Sequence, residues 1–141
     1  MSIRVLVMGL PGSGKTTFSD ALAGRIGASR LNADEIRREH NDWDFSVEGR
    51  ERQTDRMFVL SRKSCTKYLV MDFICPFKSC RDKIEADYVI WMDTIKEGRF
   101  DDTNEMFVPP TKDEVDFRLS KYYTKDDLDF VVKELDKLNS V

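Results

Sequence analysis

Residues Gly9-Leu10-Pro11-Gly12-Ser13-Gly14-Lys15-Thr16 spell the pattern G-x-x-x-x-G-K-S/T, and Thr17 adds a second threonine. Glycines at these positions let successive backbone N–H groups turn inward around a polyphosphate. Lys15 is spaced to meet the β- and γ-phosphates, and the Thr16 hydroxyl is spaced to ligate Mg²⁺. A Gly-rich turn alone would mean little. Here it follows the apolar run Ile3–Met8 and opens into a helical stretch, which is the context the motif requires. The chain is therefore expected to bind ATP with Mg²⁺, and Lys15 is its first candidate catalytic residue. Asp34 and Arg37, one helical turn apart, form a second candidate group. Asp34 could take a proton from an attacking hydroxyl or hold Mg²⁺-bound water, while Arg37 grips an anionic acceptor. The plain alternative is a helix-capping aspartate beside a solvated arginine. Asp72 closes a third apolar run, placed either to hold Mg²⁺ through water or to cap the next turn.

The elements that must position these groups alternate. Strand-like runs occur at Ile3–Met8, around Arg30–Asn32, and at Tyr68–Ile74, Tyr88–Met92 and Val115–Leu119. Between them, Phe18, Leu22 and Ile26 recur at helical spacing before Gly27. Ser46 is placed to cap a helix running through Met57 toward Cys65, and residues 79–85 suit a short helix. Thr124 to Asp127 resembles a capping box ahead of an apolar stripe ending at Leu138. Alternation of this kind predicts an α/β protein with a parallel sheet covered on both faces. Ligands then bind beyond the carboxyl ends of the strands, where every polar group named above lies. Phe100 to Pro110 lacks a period and reads as a surface loop, a candidate lid.

At 141 residues, a single domain spanning 1–141 is expected. Lys plus Arg number 23 against 26 Asp plus Glu, a net charge of −3, which argues against a nucleic-acid partner bound along a basic face. The three cysteines form no C-x-x-C pair and suit a reducing cytoplasm. The first apolar run is too short for a signal sequence, and no run reaches membrane-span length. His40, the one histidine, lies in a polar stretch and reads as a surface residue. Trp43 and Trp91 read as packing residues, and Asp101-Asp102 as a solvated acid pair.

The ordered set of motifs resembles the adenylylsulfate (APS) kinases, which phosphorylate the ribose 3′-hydroxyl of adenosine 5′-phosphosulfate with Mg-ATP. Gly9 to Thr17 looks like the family's GLxGxGKTT, and Leu31-Asn32-Ala33-Asp34-Glu35-Ile36-Arg37 is similar to LDGDxxR. Phe45-Ser46 with Arg50 and Gln53 resembles F-S-x-x-x-R-x-x-N. Phe73-Ile74-Cys75-Pro76-Phe77 looks like FISPF, and Trp91-Met92-Asp93-Thr94 resembles FVDT. The likeness runs from Ile3 to about Thr94, with a fainter match from Phe100 to Pro110. It implies a P-loop NTPase fold of three layers, α/β/α, around a mainly parallel five-stranded sheet of nucleotide-kinase order 2-3-1-4-5. It also implies that Asp34 serves catalysis and Mg²⁺, that Arg37 and Arg50 bind the phosphosulfate, and that Phe45 and Phe100 sandwich the acceptor adenine. Gln53, Ile74 and Cys75 would complete the substrate-binding set.

The chain departs from the pattern in three places. Cys75 stands for the family's serine, Gln53 for its asparagine, and the segment between Asp93 and Phe100 keeps only Lys96 and Arg99 of a longer basic lid. A thiol hydrogen-bonds more weakly than a hydroxyl, and a short lid excludes less water. The departures leave two alternatives open. One is a kinase with another acceptor: a polynucleotide 5′-end, a nucleotide or a modified base. The other is a nucleotide-binding module without transfer activity. A homodimer is left open by the sequence.

Overall fold

In the computed structural model, which describes residues 2–139, the alternating pattern becomes five strands and six helices. The strands are β1 (Ile3–Met8), β2 (Ser29–Asn32), β3 (Tyr68–Asp72), β4 (Tyr88–Met92) and β5 (Phe117–Leu119). They form one all-parallel sheet in the order β2-β3-β1-β4-β5, as the resemblance implied. Parallel strands need crossover helices, and these cover both faces. The helices are α1 (Lys15–Ile26), α2 (Ala33–His40), α3 (Val47–Arg62), α4 (Lys78–Ile84), α5 (Asp101–Met106) and α6 (Lys125–Asn139). Residues 1, 140 and 141 of the expected domain lie outside the described residues.

Alternation along β1 assigns the two cores. Val5 and Val7 pack with Phe18 and Leu22 of α1 and with Leu128 and Val131 of α6. Leu6 and Met8 face the other way, onto Ile36, Met57 and Ile84 of α2, α3 and α4. β1 is thus buried on both sides and carries the phosphate motif from the centre of the sheet.

Several boundaries differ from the expected ones for local reasons. β3 ends at Asp72, and Cys75, three residues before the helix that follows, adopts a left-handed φ of 50° that breaks the extended run. β5 starts late because Lys112–Glu114 forms a 3-10 turn closed by a Thr111–Glu114 capping box. The supposed irregular segment Phe100–Pro110 contains α5, a helix too short for periodicity to reveal. Ser46 caps α3 as expected, its side chain accepting from the Gly49 amide at 3.1 Å. Thr124 accepts from the Asp127 amide at 3.3 Å ahead of α6.

Gly49 permits the close approach of α3 to the segment before it. A Cβ built there would lie 2.1 Å from the Asp44 carbonyl oxygen. Gly49→Ala should therefore cost about 1–3 kcal/mol, the range of overpacked sites. Thermal unfolding should show a lowered Tm, and the fluorescence of nearby Trp43 should shift.

Candidate active site

The phosphate loop turns out of β1 with Gly12 and Gly14 at φ of 86° and 94°, a left-handed region that favours glycine. Gly14 caps α1, whose first-turn N–H groups lack intrahelical partners and so suit an anion. Side chains from elsewhere hold the loop's carbonyls. The Thr94 hydroxyl donates to Ser13 O at 2.7 Å, and the Tyr122 hydroxyl donates to Gly12 O at 3.1 Å. Lys15 Nζ donates to Leu10 O at 3.1 Å. Burial lowers the Lys15 pKa, against the pull of Asp72 and Asp34, and Arg99 lowers it further. The Thr16 hydroxyl, at the start of α1, donates to Asp72 Oδ2 at 3.0 Å.

Asp72 is 2 % exposed, and its Oδ2 also accepts from Arg30 and Asn32 at 3.0 Å each. Burial raises its pKa, while Lys15, Thr16, Arg30 and Asn32 lower it. It therefore caps no turn. Asn32 is the true N-cap of α2, its Oδ1 accepting from the Glu35 amide at 3.1 Å. Asp34, read alternatively as that cap, stands one position into the helix, exposed and, among the described residues, without a hydrogen bond or ion pair. Arg37 is 5 % exposed and not solvated.

Arg37 and Arg50 flank Phe45, their guanidinium carbons 4.4 and 5.4 Å from its ring centroid. Arg37 Nη1 also donates to the carbonyls of Asp42 and Asp44, at 3.0 and 3.1 Å. Arg50 donates to Phe45 O at 2.9 Å and to Thr103 Oγ1 at 2.7 Å. Each fork keeps further N–H groups for a ligand. Gln53 is nearly buried and donates to Ala33 O at 2.8 Å, so its amide braces α2 as well as facing the cavity.

One cavity of about 540 Å³ joins these parts. Its lining runs from Pro11, Lys15 and Thr16 past Asp34, Arg37 and Arg50 to Phe45 and Phe100. Phe45 is 38 % exposed and Phe100 53 %, so neither is an ordinary core residue. Ile74 and Cys75 belong to the far wall. Cys75 is fully buried, and burial drives its thiol pKa well up. Phe77 packs against the core instead. Phe100 caps the turn into α5, and Arg99, one of the two basic residues kept in the short lid, also reaches the cavity wall.

A Mg²⁺ ion fits this donor set. Thr16 supplies a hydroxyl, Asp72 and Asp34 supply carboxylates at the same end of the sheet, and all are oxygen donors of the hard type. Among the described residues no cluster of three or more His, Cys, Asp or Glu could cage a metal alone.

The sequence of residues 5–84 matches the family described as AAA domain, over half of the chain. The chain belongs to that family. Among curated proteins none matches it. Among solved structures, this AAA-domain chain resembles the Mycobacterium tuberculosis APS kinase CysC in complex with AMPPNP and APS, at 19 % identity. That match has a TM-score of 0.76 and covers 96 % of this chain and 98 % of the other. It also resembles the Acinetobacter baumannii shikimate kinase in complex with shikimate, at 17 % identity and TM-score 0.60, covering 99 % and 94 %. A Sinorhizobium meliloti gluconokinase matches at 16 % identity and TM-score 0.67, covering 99 % and 98 %. At these identities the shared feature is the P-loop kinase fold. No described helix is long and apolar enough to cross a membrane.

Sequence reading missed several contributors. Trp43, expected to pack, is 47 % exposed on the cavity wall. Its neighbours Asp42 and Asp44 gave the signal, since an aromatic between two acids in a polar run fits no apolar stripe. Arg30, Thr103 and Tyr122 carried no local signature, and the contacts of Asn32 with Asp72 and of Thr94 with Ser13 join residues distant in sequence. His40 is exposed as expected, and Trp91 is half-buried in β4 beneath Arg118. Asp101 and Asp102 are both exposed, with Asp102 on the cavity rim.

The loop before α3 has its own acid sensitivity. Hydrogen bonds from Arg52 and Arg56 hold the Asp42 pKa far below the usual carboxylate range. Ser46, then Arg52, hold that of Asp44 at about 2. Depressed carboxylates stabilise the folded state above their unfolded pKa of about 4, and that contribution is lost as pH falls toward the folded values. Acid titration followed by Trp43 fluorescence should show the loop loosening between about pH 4 and 2. Asp42→Asn should flatten that profile and lower stability at neutral pH.

Proposed function

We propose that this chain transfers the γ-phosphoryl group of ATP to the 3′-hydroxyl of adenosine 5′-phosphosulfate. The observation that carries the reading is the continuity of one cavity from the phosphate loop to a wall of guanidinium and aromatic groups. Its lining carries five cations, Lys15, Arg37, Arg38, Arg50 and Arg99, against three acids, Asp34, Asp72 and Asp102. A donor and an acceptor that are both anionic suit that balance. Guanidinium forks suit a phosphosulfate, and exposed aromatic faces suit a purine. Shikimate and gluconate, the acceptors that the names of the two other structural neighbours suggest, have no aromatic base for such faces.

In this reading the loop amides and Lys15 hold the β- and γ-phosphates of ATP. Asp34, without a hydrogen bond or ion pair among the described residues, accepts the hydrogen bond of the acceptor hydroxyl and takes its proton as the new P–O bond forms. The bond from the γ-phosphorus to the β–γ bridging oxygen breaks, and ADP leaves. Arg37 and Arg50 hold the acceptor's phosphate and sulfate, fixing the hydroxyl in line. Arg99 and Lys15 neutralise charge on the migrating group. When bound, Mg²⁺ supplies charge neutralisation on the phosphates, with Thr16, Asp34 and Asp72 as the residues that would hold it directly or through water. A loose transition state leaves the protein mainly this positioning and charge stabilisation.

The test is purified protein with labelled ATP and adenosine 5′-phosphosulfate, expected to yield the labelled 3′-phosphate product. Lys15→Ala should lower kcat by about 10³-fold or more, as loss of a group bound to the migrating charge does. Arg50→Ala should raise KM for the acceptor about tenfold or more, with KM for ATP within about twofold, since an acceptor contact is lost and the donor loop is untouched. Transfer only to oligonucleotide ends, shikimate or gluconate would replace the acceptor assignment. ATP binding without transfer to any acceptor would remove the activity altogether.

A further inference from the structure

We infer that Trp43 is a specificity-determining residue of the acceptor site, its indole a preformed stacking face for a planar nucleobase. The inference deepens the reading above and rests on it only for the identity of the base.

Trp43 packs only in part. It belongs to neither apolar core and is 47 % exposed, although an indole is among the most rewarding side chains to bury. Single exposed aromatics are ordinary on protein surfaces. Trp43, Phe45 and Phe100 are all exposed, and all three lie on the one large cavity. Their convergence is what an isolated surface residue would not show.

The indole is also held on a rigid support. Arg37 Nη1 grips the carbonyls on either side of residue 43, those of Asp42 and Asp44. The Asp42 carboxylate is clamped by Arg56 at 2.7 Å and Arg52 at 2.9 Å. The Asp44 carboxylate accepts from Arg52 at 3.0 Å and from the Ser46 amide at 2.9 Å. Ordering of this backbone is complete before any ligand arrives, which lowers the cost of binding.

Chemistry separates Trp43 from its neighbour. The Phe45 ring already has Arg37 at 4.4 Å and Arg50 at 5.4 Å from its centroid. Trp43, tilted 45° to Phe45 at 6.5 Å between centroids, carries no such cation among the described residues. It offers the larger and freer π face. Trp43, Arg37 and Arg50 line the same cavity, so a base on the indole and anions on the guanidinium groups share one site.

The chain has two tryptophans, so Trp91→Phe leaves Trp43 as a single fluorescent reporter. With the donor site saturated by Mg-ADP, titration with adenosine 5′-phosphosulfate should change Trp43 emission. By calorimetry, Trp43→Ala should weaken acceptor binding about tenfold or more, about 1.4 kcal/mol, while ADP affinity stays within about twofold. Trp43→Phe, which keeps an aromatic face and guards against misfolding, should recover most of the loss. Acceptor binding undiminished in a folded Trp43→Ala variant would overturn the inference and leave the phosphosulfate reading standing. Adenosine 5′-monophosphate or another nucleotide binding through Trp43 while the phosphosulfate does not would sink that reading alone. Failure of every planar base to bind, or transfer only to shikimate or gluconate, would overturn both.

Discussion

A single buried carboxylate oxygen ties the two halves of this site together. Asp72 Oδ2 receives the Thr16 hydroxyl from the helix after the phosphate loop, and Arg30 and Asn32 from the edge strand β2. A carboxylate this buried is costly unless it is paired and hydrogen-bonded. Its three donors meet that cost and, in doing so, fix where their own elements begin. Asn32 carries the constraint onward, because its other amide atom caps α2. That cap sets the phase of α2 and so the positions of Asp34 and Arg37. Arg37 in turn holds the carbonyls that flank Trp43. The phosphate loop and the opposite cavity wall are therefore linked through short polar contacts, beside the apolar packing of Met8 with Ile36 and Met57.

Charge is distributed to match. The chain as a whole is acidic, at −3, while the cavity lining has more cations than acids. Local arrangement and not net charge decides what enters a cleft with low-dielectric walls. Two of the four arginines lining the cavity do double duty. Arg37 and Arg50 spend some N–H groups on backbone carbonyls or on Thr103 and keep the rest for an anion. Arginine suits this because its fork is rigid and its charge persists across the physiological range.

Much of this was legible in residue order because it depends on local rules. The glycine spacing of residues 9–14, the apolar run Ile3–Met8, and the Ser46 and Thr124 caps are all read from neighbours in sequence. The strand order followed from resemblance and agrees with the registers of β1 with β3 and β4. What escaped notice depends on partners far along the chain. Thr94 lies 81 residues from Ser13, and Tyr122 110 residues from Gly12. α5 spans six residues, too few for a helical period to register, and its place is set by Arg50 and Gly98 instead. Trp43, expected to pack, is 47 % exposed and so departs from the average burial of aromatic residues.

The short helix α5 has a mechanical consequence. Asn104 takes the Gly98 amide at 2.7 Å and gives a hydrogen bond to the Gly98 carbonyl at 3.1 Å. Gly98 lies so near the phosphate loop that a Cβ there would come within 3.0 Å of Pro11 O. One residue earlier, Thr103 accepts the guanidinium of Arg50. Adjacent side chains of one helical turn therefore hook onto opposite sides of the cleft. The turn works as a strap: through two neighbouring side chains it ties the segment beside Pro11 to the arginine across the gap.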